Sequence, residues 1–173
     1  MNTPKLICII GAESTGKTTL AQTLATQFDC PWAAEQLREF CESHGRTPTQ
    51  HEQGLILETQ VINELAAQRS NAPYVFCDTA PLLTAIYSDY VFGDTSLYLR
   101  ARVLHCRYAL TLFLQPDIDW HADGMQREGA HVREPITRLI ERELAGMGAP
   151  MVRIGGQGDA RVAAATSALR TIA

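Results

Sequence analysis

The sequence predicts a three-layer α/β fold: a five-stranded parallel sheet, in the order 2-3-1-4-5, with helices on both faces. Three observations carry that prediction. Short apolar runs recur without polar alternation, as strands buried on both faces require. Segments of helical spacing separate them, which makes right-handed crossovers the natural connection. A glycine-rich loop joins the first run to the first helical segment.

Leu6-Ile7-Cys8-Ile9-Ile10 is a continuous apolar run and reads as the first strand. Residues 17–28 carry Leu20, Leu24 and Phe28 at helical spacing. Pro31-Trp32-Ala33-Ala34 reads as a short second strand, and residues 35–44 as a helix broken by Gly45 and Pro48. Thr49 is placed to cap a longer helix with Leu55, Ile56, Thr59, Val61 and Leu65, which stops at Ser70-Asn71-Ala72-Pro73. Tyr74-Val75-Phe76-Cys77 is the third strand and ends at Asp78. A helix from about Leu82 follows, interrupted near Gly93-Asp94, and a further helix spans residues 96–106. Residues 109–114 form the fourth strand, closed by Gln115-Pro116-Asp117. Residues 119–131 are rich in charge and glycine and read as a mobile loop. Residues 135–147 are helical, Met151-Val152-Arg153-Ile154 is the fifth strand, and residues 159–172 form the last helix. With no repeat or linker in between, residues 1–173 read as a single domain whose lid region covers about residues 119–134.

The chain has 173 residues, 46% of them apolar and 20% charged, the balance of a globular core rather than a disordered tail. A net charge of −4 argues against a broad nucleic-acid or membrane surface, so the expected partners are small molecules, with self-association left open. Cys8, Cys30, Cys41, Cys77 and Cys106 show no C-x-x-C spacing and are expected as reduced thiols in a cytoplasmic protein. The first apolar run is too short for a signal peptide, and nothing approaches a membrane span.

Gly11, Ala12, Glu13, Ser14, Thr15, Gly16, Lys17 and Thr18 read GAESTGKT, a full match to G-x-x-x-x-G-K-[ST]. A strand precedes it and a helix follows, so the fold class sharpens to that of the P-loop NTPases. The glycines let successive N–H groups curl around phosphate oxygens, and the following helix adds the positive end of its dipole. Lys17 reaches the β- and γ-phosphates, and the Thr18 hydroxyl is placed to ligate Mg²⁺. Thr19 is a neighbouring hydroxyl counted with the phosphate-binding set. ATP and Mg²⁺ are therefore the implied ligands.

Asp78 closes a four-hydrophobic run, and an acid at the carboxyl end of a parallel strand lies in the ligand crevice. There it would hold Mg²⁺ through water or accept a proton from an attacking hydroxyl; capping the turn beside Pro81 is the plainer alternative. Glu35 and Arg38 share one helical face, either turned into the crevice toward a ribose or base or paired on the surface. The glycine-hinged loop carries Arg127, followed by Arg133, cations suited to closing over a triphosphate. Trp120 is placed to stack on a planar ligand or to pin the loop to the core.

The ordered set GAESTGKT, EQLRE, a helix containing Gln60, VFCDT and DWHADGMQR resembles the nicotinamide riboside kinase domain of the bacterial NadR-type regulators of NAD biosynthesis, from Leu6 to about Ile154. The resemblance implies an ATP- and Mg²⁺-dependent kinase that phosphorylates the 5′-hydroxyl of nicotinamide riboside. It would place Asp78 at the acceptor hydroxyl, Glu35 and Arg38 near the riboside, and Trp120 and Asp123 near the pyridine and ribose. Lys17, Asp78 and Arg127 would be the catalytic groups, and Thr18 and Asp78 the metal-holding ones. The turn Gly155-Gly156-Gln157-Gly158 follows the fifth strand where related kinases place adenine, with Gly156 as the contact, although a plain turn explains the glycines equally well. Where the family commonly reads E-Y-[G/A]-R-E this chain has Gln36 and Leu37, and its lid holds one more residue between Gly124 and Arg127. With so few residues ahead of the first strand, neither the DNA-binding nor the adenylyltransferase part of those regulators is expected. Two other readings stand beside this one: a kinase for another nucleoside or nucleotide, and an ATPase switch acting on a protein partner.

Overall fold

The computed structural model describes residues 3–121 and 129–172. In chain order the elements are β1 Lys5–Ile10, α1 Lys17–Phe28, β2 Trp32–Ala33, α2 Gln36–His44, α3 Gln53–Ala67, β3 Tyr74–Asp78, α4 Pro81–Phe92, α5 Tyr98–His105, β4 Tyr108–Leu114, α6 Arg133–Met147, β5 Met151–Ile154 and α7 Asp159–Leu169. The strands form one sheet in the order β2-β3-β1-β4-β5, with every neighbouring pair parallel. The predicted order and the predicted layering are both found.

The central strand shows why both faces need helices. Leu6, Cys8 and Ile10 of β1 enter one core, with Leu57 of α3, Ile86 of α4, Ala101 of α5 and Ile140 of α6. Ile7 and Ile9 point the other way, into a core closed by Leu20 and Leu24 of α1 and Ala165 and Leu169 of α7. A strand with apolar residues at every position can satisfy both faces only inside such a sandwich.

Boundaries shift where chemistry at the termini decides them. Thr49 caps as expected: its N–H and hydroxyl both donate to the Glu52 carboxylate, at 2.8 and 2.9 Å. The first turn there is 3₁₀, Gln50–Glu52, before α3 begins. Pro81 occupies the first turn of α4, where its missing N–H matters least, so that helix starts one residue earlier than Leu82. The predicted lid region is helical at its far end: Ala130–Val132 is 3₁₀ and α6 begins at Arg133. The reason is packing, because Val132 and Ile136 are fully buried. The parallel arrangement brings the carboxyl ends of β1, β3 and β4 to one rim, and the chemistry-bearing residues gather there.

Candidate active site

The loop after β1 is shaped by two glycines for two reasons. A Cβ on Gly11 would lie 2.7 Å from Thr15 Oγ1 and 2.9 Å from the Leu114 carbonyl oxygen, so no larger residue fits. Gly16 sits at φ 81° as the N-cap of α1, and Ser14 adopts φ 53°; these left-handed residues curl the loop. Thr15 Oγ1 donates to the Ala12 carbonyl at 2.8 Å, and Lys17 Nζ to the same oxygen at 3.0 Å. The lysine thus lies folded across the loop, 5% exposed, where its charge faces the anion the loop is built to receive. Glu13 and Ser14 hold the described residues on either side of positions 122–128: His121 N donates to Ser14 Oγ at 2.9 Å and Gly129 N to Glu13 Oε2 at 3.3 Å. Thr19 is exposed at the rim of the same cleft.

Asp78 ends β3 directly across from Ile9 of β1 and is fully buried. Thr18 Oγ1 donates to Asp78 Oδ2 at 2.6 Å, which joins the last residue of the loop motif to the second strand end. Asp78 Oδ1 is buried and accepts no hydrogen bond. Burial first, and then the Glu35 charge, raise the Asp78 carboxyl to about 6, against the opposing pull of the Thr18 hydrogen bond, Lys17 and Arg38. Thr79, immediately after it, takes φ 80° with its N–H on the Ile9 carbonyl at 2.9 Å, a strained bend at the strand end.

Glu35 precedes α2 and is only 5% exposed, with Arg38 Nε 3.9 Å from its Oε2. The pair therefore looks inward, and the alternative of a surface pair does not hold. Two hollows flank it. A cleft of about 530 Å³ runs over the phosphate loop between Arg38, Ile118, Asp119 and His121. On the other side, Glu35, Leu37, Gln53, Gln60, Thr79 and Tyr87 border a narrow slot of about 20 Å³, which meets a surface pocket past Leu37 and Tyr87. Gln60 Oε1 accepts the Gln36 N–H at 2.9 Å, so α3 fixes the start of α2 and with it the direction of Glu35.

Arg133, at the start of α6, holds Nε and Nη2 buried without hydrogen bonds, and its charge acts on Arg161. Trp120 is half-buried with its indole N–H unbonded. Gly156 takes φ 85° in the turn after β5 and donates its N–H to Asp117 Oδ2 at 2.7 Å. Asp123 and Arg127 lie outside the described residues. The sequence reading missed Arg161 and Asp117, and of the slot it named only Glu35 and Gln60 in a functional setting. Tyr87 and Gln53 carry no motif, Thr79 only closes the VFCDT segment, and for Arg161 only the glycine-rich turn hinted that something nearby needs a close backbone approach.

As for a metal, hard oxygen donors are what Mg²⁺ selects, and Thr18 Oγ1 with the idle Asp78 Oδ1 supplies them. The residues fit the ion.

The family described as AAA domain matches residues 6–161. The trifunctional NAD biosynthesis/regulator protein NadR of Escherichia coli (strain K12) is 24% identical over 164 residues, covering 87% of this chain and 38% of that protein. A crystal structure of NadR protein in complex with NR superposes with a TM-score of 0.85 at 24% identity, over 98% of this chain and 51% of the other. One in complex with NAD and AMP-PNP gives 0.82 at 23%, over 98% and 49%. The chain thus spans little more than a third of that curated relative and about half of those solved chains.

Proposed function

The chain belongs to the AAA domain family, and from that membership we propose that it is a P-loop kinase, transferring the terminal phosphate of ATP to the 5′-hydroxyl of a nucleoside-like acceptor. Nicotinamide riboside is the leading acceptor, with nicotinamide mononucleotide and ADP as products, and this places the chain in NAD biosynthesis. The relative's name and the NR complex of the similar structure support the choice, and the AMP-PNP complex supports ATP as donor. The observation that carries the reading is the 2.6 Å bond from Thr18 to Asp78, which sets a buried carboxylate between a phosphate cleft and a second, Glu35-lined slot.

Bound Mg²⁺ would neutralise charge on the phosphates, with Thr18 and Asp78 as its holders. The remaining roles belong to the chain's own groups. Backbone amides from Gly11 through Thr18, with Ala12, Glu13, Ser14, Thr15 and Gly16 between, cradle the triphosphate, and Thr19 borders it. Lys17 leaves the Ala12 carbonyl and pairs with phosphate oxygens as charge builds there. Asp78 orients the acceptor hydroxyl or takes its proton. Arg133, whose Nε and Nη2 are unsatisfied, supplies cationic contact to the phosphates, and Arg127 is assigned to the lid at residues 119–134. Gly156, its N–H and C=O already bonded, borders the adenine through its bare Cα. Glu35, Arg38, Trp120 and Asp123 hold the riboside. The unit is one kinase-like domain working in the cytoplasm; among the described residues no helix is long and apolar enough to cross a membrane.

A slot of about 20 Å³ holds no more than a water, so an acceptor seated beside Glu35 must displace Leu37 or Tyr87. Gln36 and Leu37, where the family's pattern has an aromatic residue, favour a second acceptor reading, another nucleoside or nucleotide. A coupled ADP-release assay across a nucleoside panel decides between them. Acceleration by nicotinamide riboside supports the first reading and acceleration by another acceptor the second, while slow hydrolysis indifferent to every acceptor would sink the kinase reading.

A further inference from the structure

Arg161 lies in the first turn of α7, 5% exposed, and its guanidinium is committed on every side. Nε donates to the Gly156 carbonyl at 2.7 Å. Nη1 donates to the Thr15 carbonyl of the phosphate loop. Nη2 donates to the Gln115 carbonyl at 3.1 Å and to Asp117 Oδ1. The second Asp117 oxygen accepts the Gly156 N–H at 2.7 Å. A Cβ on Gly155 would stand 2.8 Å from that same oxygen, so the turn is moulded around the carboxylate.

One buried cation therefore binds three loops that are far apart in sequence: the phosphate loop, the segment after β4 and the turn after β5. A buried guanidinium is unfavourable unless its donors are satisfied, and here the partners are backbone carbonyls that packing alone would leave free to turn. Because a trans peptide points its C=O and N–H in opposite directions, holding the Thr15 carbonyl fixes where the Gly16 N–H points. Holding the Gly156 carbonyl fixes the next N–H of the turn in the same way.

We propose that Arg161 and Asp117 are positioning residues that lock the phosphate loop and the turn at residues 155–158 into one bonded unit, which grips a nucleoside triphosphate at its phosphate and base ends together. The proposal rests on reading the loop as a triphosphate site. Neither side chain touches the nucleotide; both act through the backbone they hold.

The test is titration calorimetry of the native chain, Arg161→Lys and Asp117→Asn against Mg²⁺–ATP and against inorganic tripolyphosphate, with melting temperatures and acceptor KM measured alongside. Lysine keeps the charge but cannot span the carbonyls, so Arg161→Lys should weaken both ligands about tenfold or more. Asp117→Asn releases mainly the turn, so ATP should weaken by about three- to tenfold with tripolyphosphate nearly unchanged. Acceptor KM should stay put in both. Unchanged ATP affinity in folded Arg161→Lys, or an acceptor KM that moves as far as the ATP affinity, overturns the clamp. If that variant does not fold, Asp117→Asn carries the test, since the Asp117 side chain is 42% exposed and outside the core; ATP affinity unchanged there is equally fatal. A native chain that binds neither ligand overturns the triphosphate reading itself, and the clamp with it, a result unlike native binding that the variants match.

Discussion

Two buried carboxylates make the sharpest contrast in this molecule. Glu64, in α3, and Asp78, at the end of β3, are each fully excluded from solvent, and burial raises the pKa of both. Glu64 spends both oxygens: Oε1 accepts from the Tyr108 hydroxyl at 2.7 Å and from Gln60 at 3.3 Å, and Oε2 from Arg107 at 3.3 Å. Asp78 spends one, on Thr18, and leaves the other idle beside a second carboxylate, Glu35. A buried acid with both oxygens answered is a structural tie. One with an unanswered oxygen, a like charge beside it and a cleft at hand is what a site awaiting a ligand would look like.

The contrast can be broken by exchanging small changes between the two sites. Asp78→Asn should lower kcat by about a hundredfold or more while the ATP dissociation constant moves much less. Tyr108→Phe, which strips Glu64 of its shortest bond, should cost about 1–3 kcal/mol in urea unfolding and leave kcat and KM alone. A slow Tyr108→Phe together with a brisk Asp78→Asn would invert the assignment. As a control on the phosphate side, Lys17→Ala should abolish turnover in the same assay.

The Glu64 side carries a pH signature of its own. His105 packs edge-on to Tyr108 and meets Thr111 Oγ1 at 2.9 Å; burial pulls its pKa down from 6.5 to about 4. The folded state holds it neutral, so its contribution to stability is complete above the unfolded value and drains away as pH falls toward the folded one. From pH 7 to pH 5 that loss should reach about 2 kcal/mol by denaturant titration. The Glu64 carboxyl is shifted upward and acts in the opposite sense, so the difference between the native chain and His105→Gln isolates the imidazole. Identical pH slopes for the two proteins would show that His105 is not the titrating group.

The smallest expected effect probes whether the acceptor enters beside Glu35. Leu37 borders both the narrow slot and the pocket outside it. Leu37→Ala should widen the path and lower acceptor KM by about two- to fivefold, with stability falling by about 1 kcal/mol because Leu37 is only partly buried. An unmoved acceptor KM would mean that the acceptor approaches from elsewhere.

Much of this was legible in the linear chain, and for local reasons. The GAESTGKT loop announces itself because glycine geometry and the strand–loop–helix order are short-range properties. Asp78 is legible from the apolar run before it and Thr49 from its place ahead of a helical pattern, while its partner Glu52 came from the structure. The start of α6 was placed two residues late, because charge and glycine suggested a loop where Val132 and Ile136 reach the core. Sequence left Glu35 and Arg38 undecided between crevice and surface, since i,i+3 spacing fixes which residues share a face but not which way the face turns.

By itself, then, the sequence determined the layered parallel sheet, the phosphate loop and the acid at the third strand end, because period, turn chemistry and capping act over a few residues. Only the tertiary structure decided that Thr18 bonds Asp78 across 60 positions, that Glu35 faces inward, that Leu37 narrows the slot, and that Arg161 reaches Thr15 across 146. Such contacts come from crossovers bringing remote loops to one rim of the sheet, and no local pattern encodes the rotamer of an arginine that answers carbonyls from three of them.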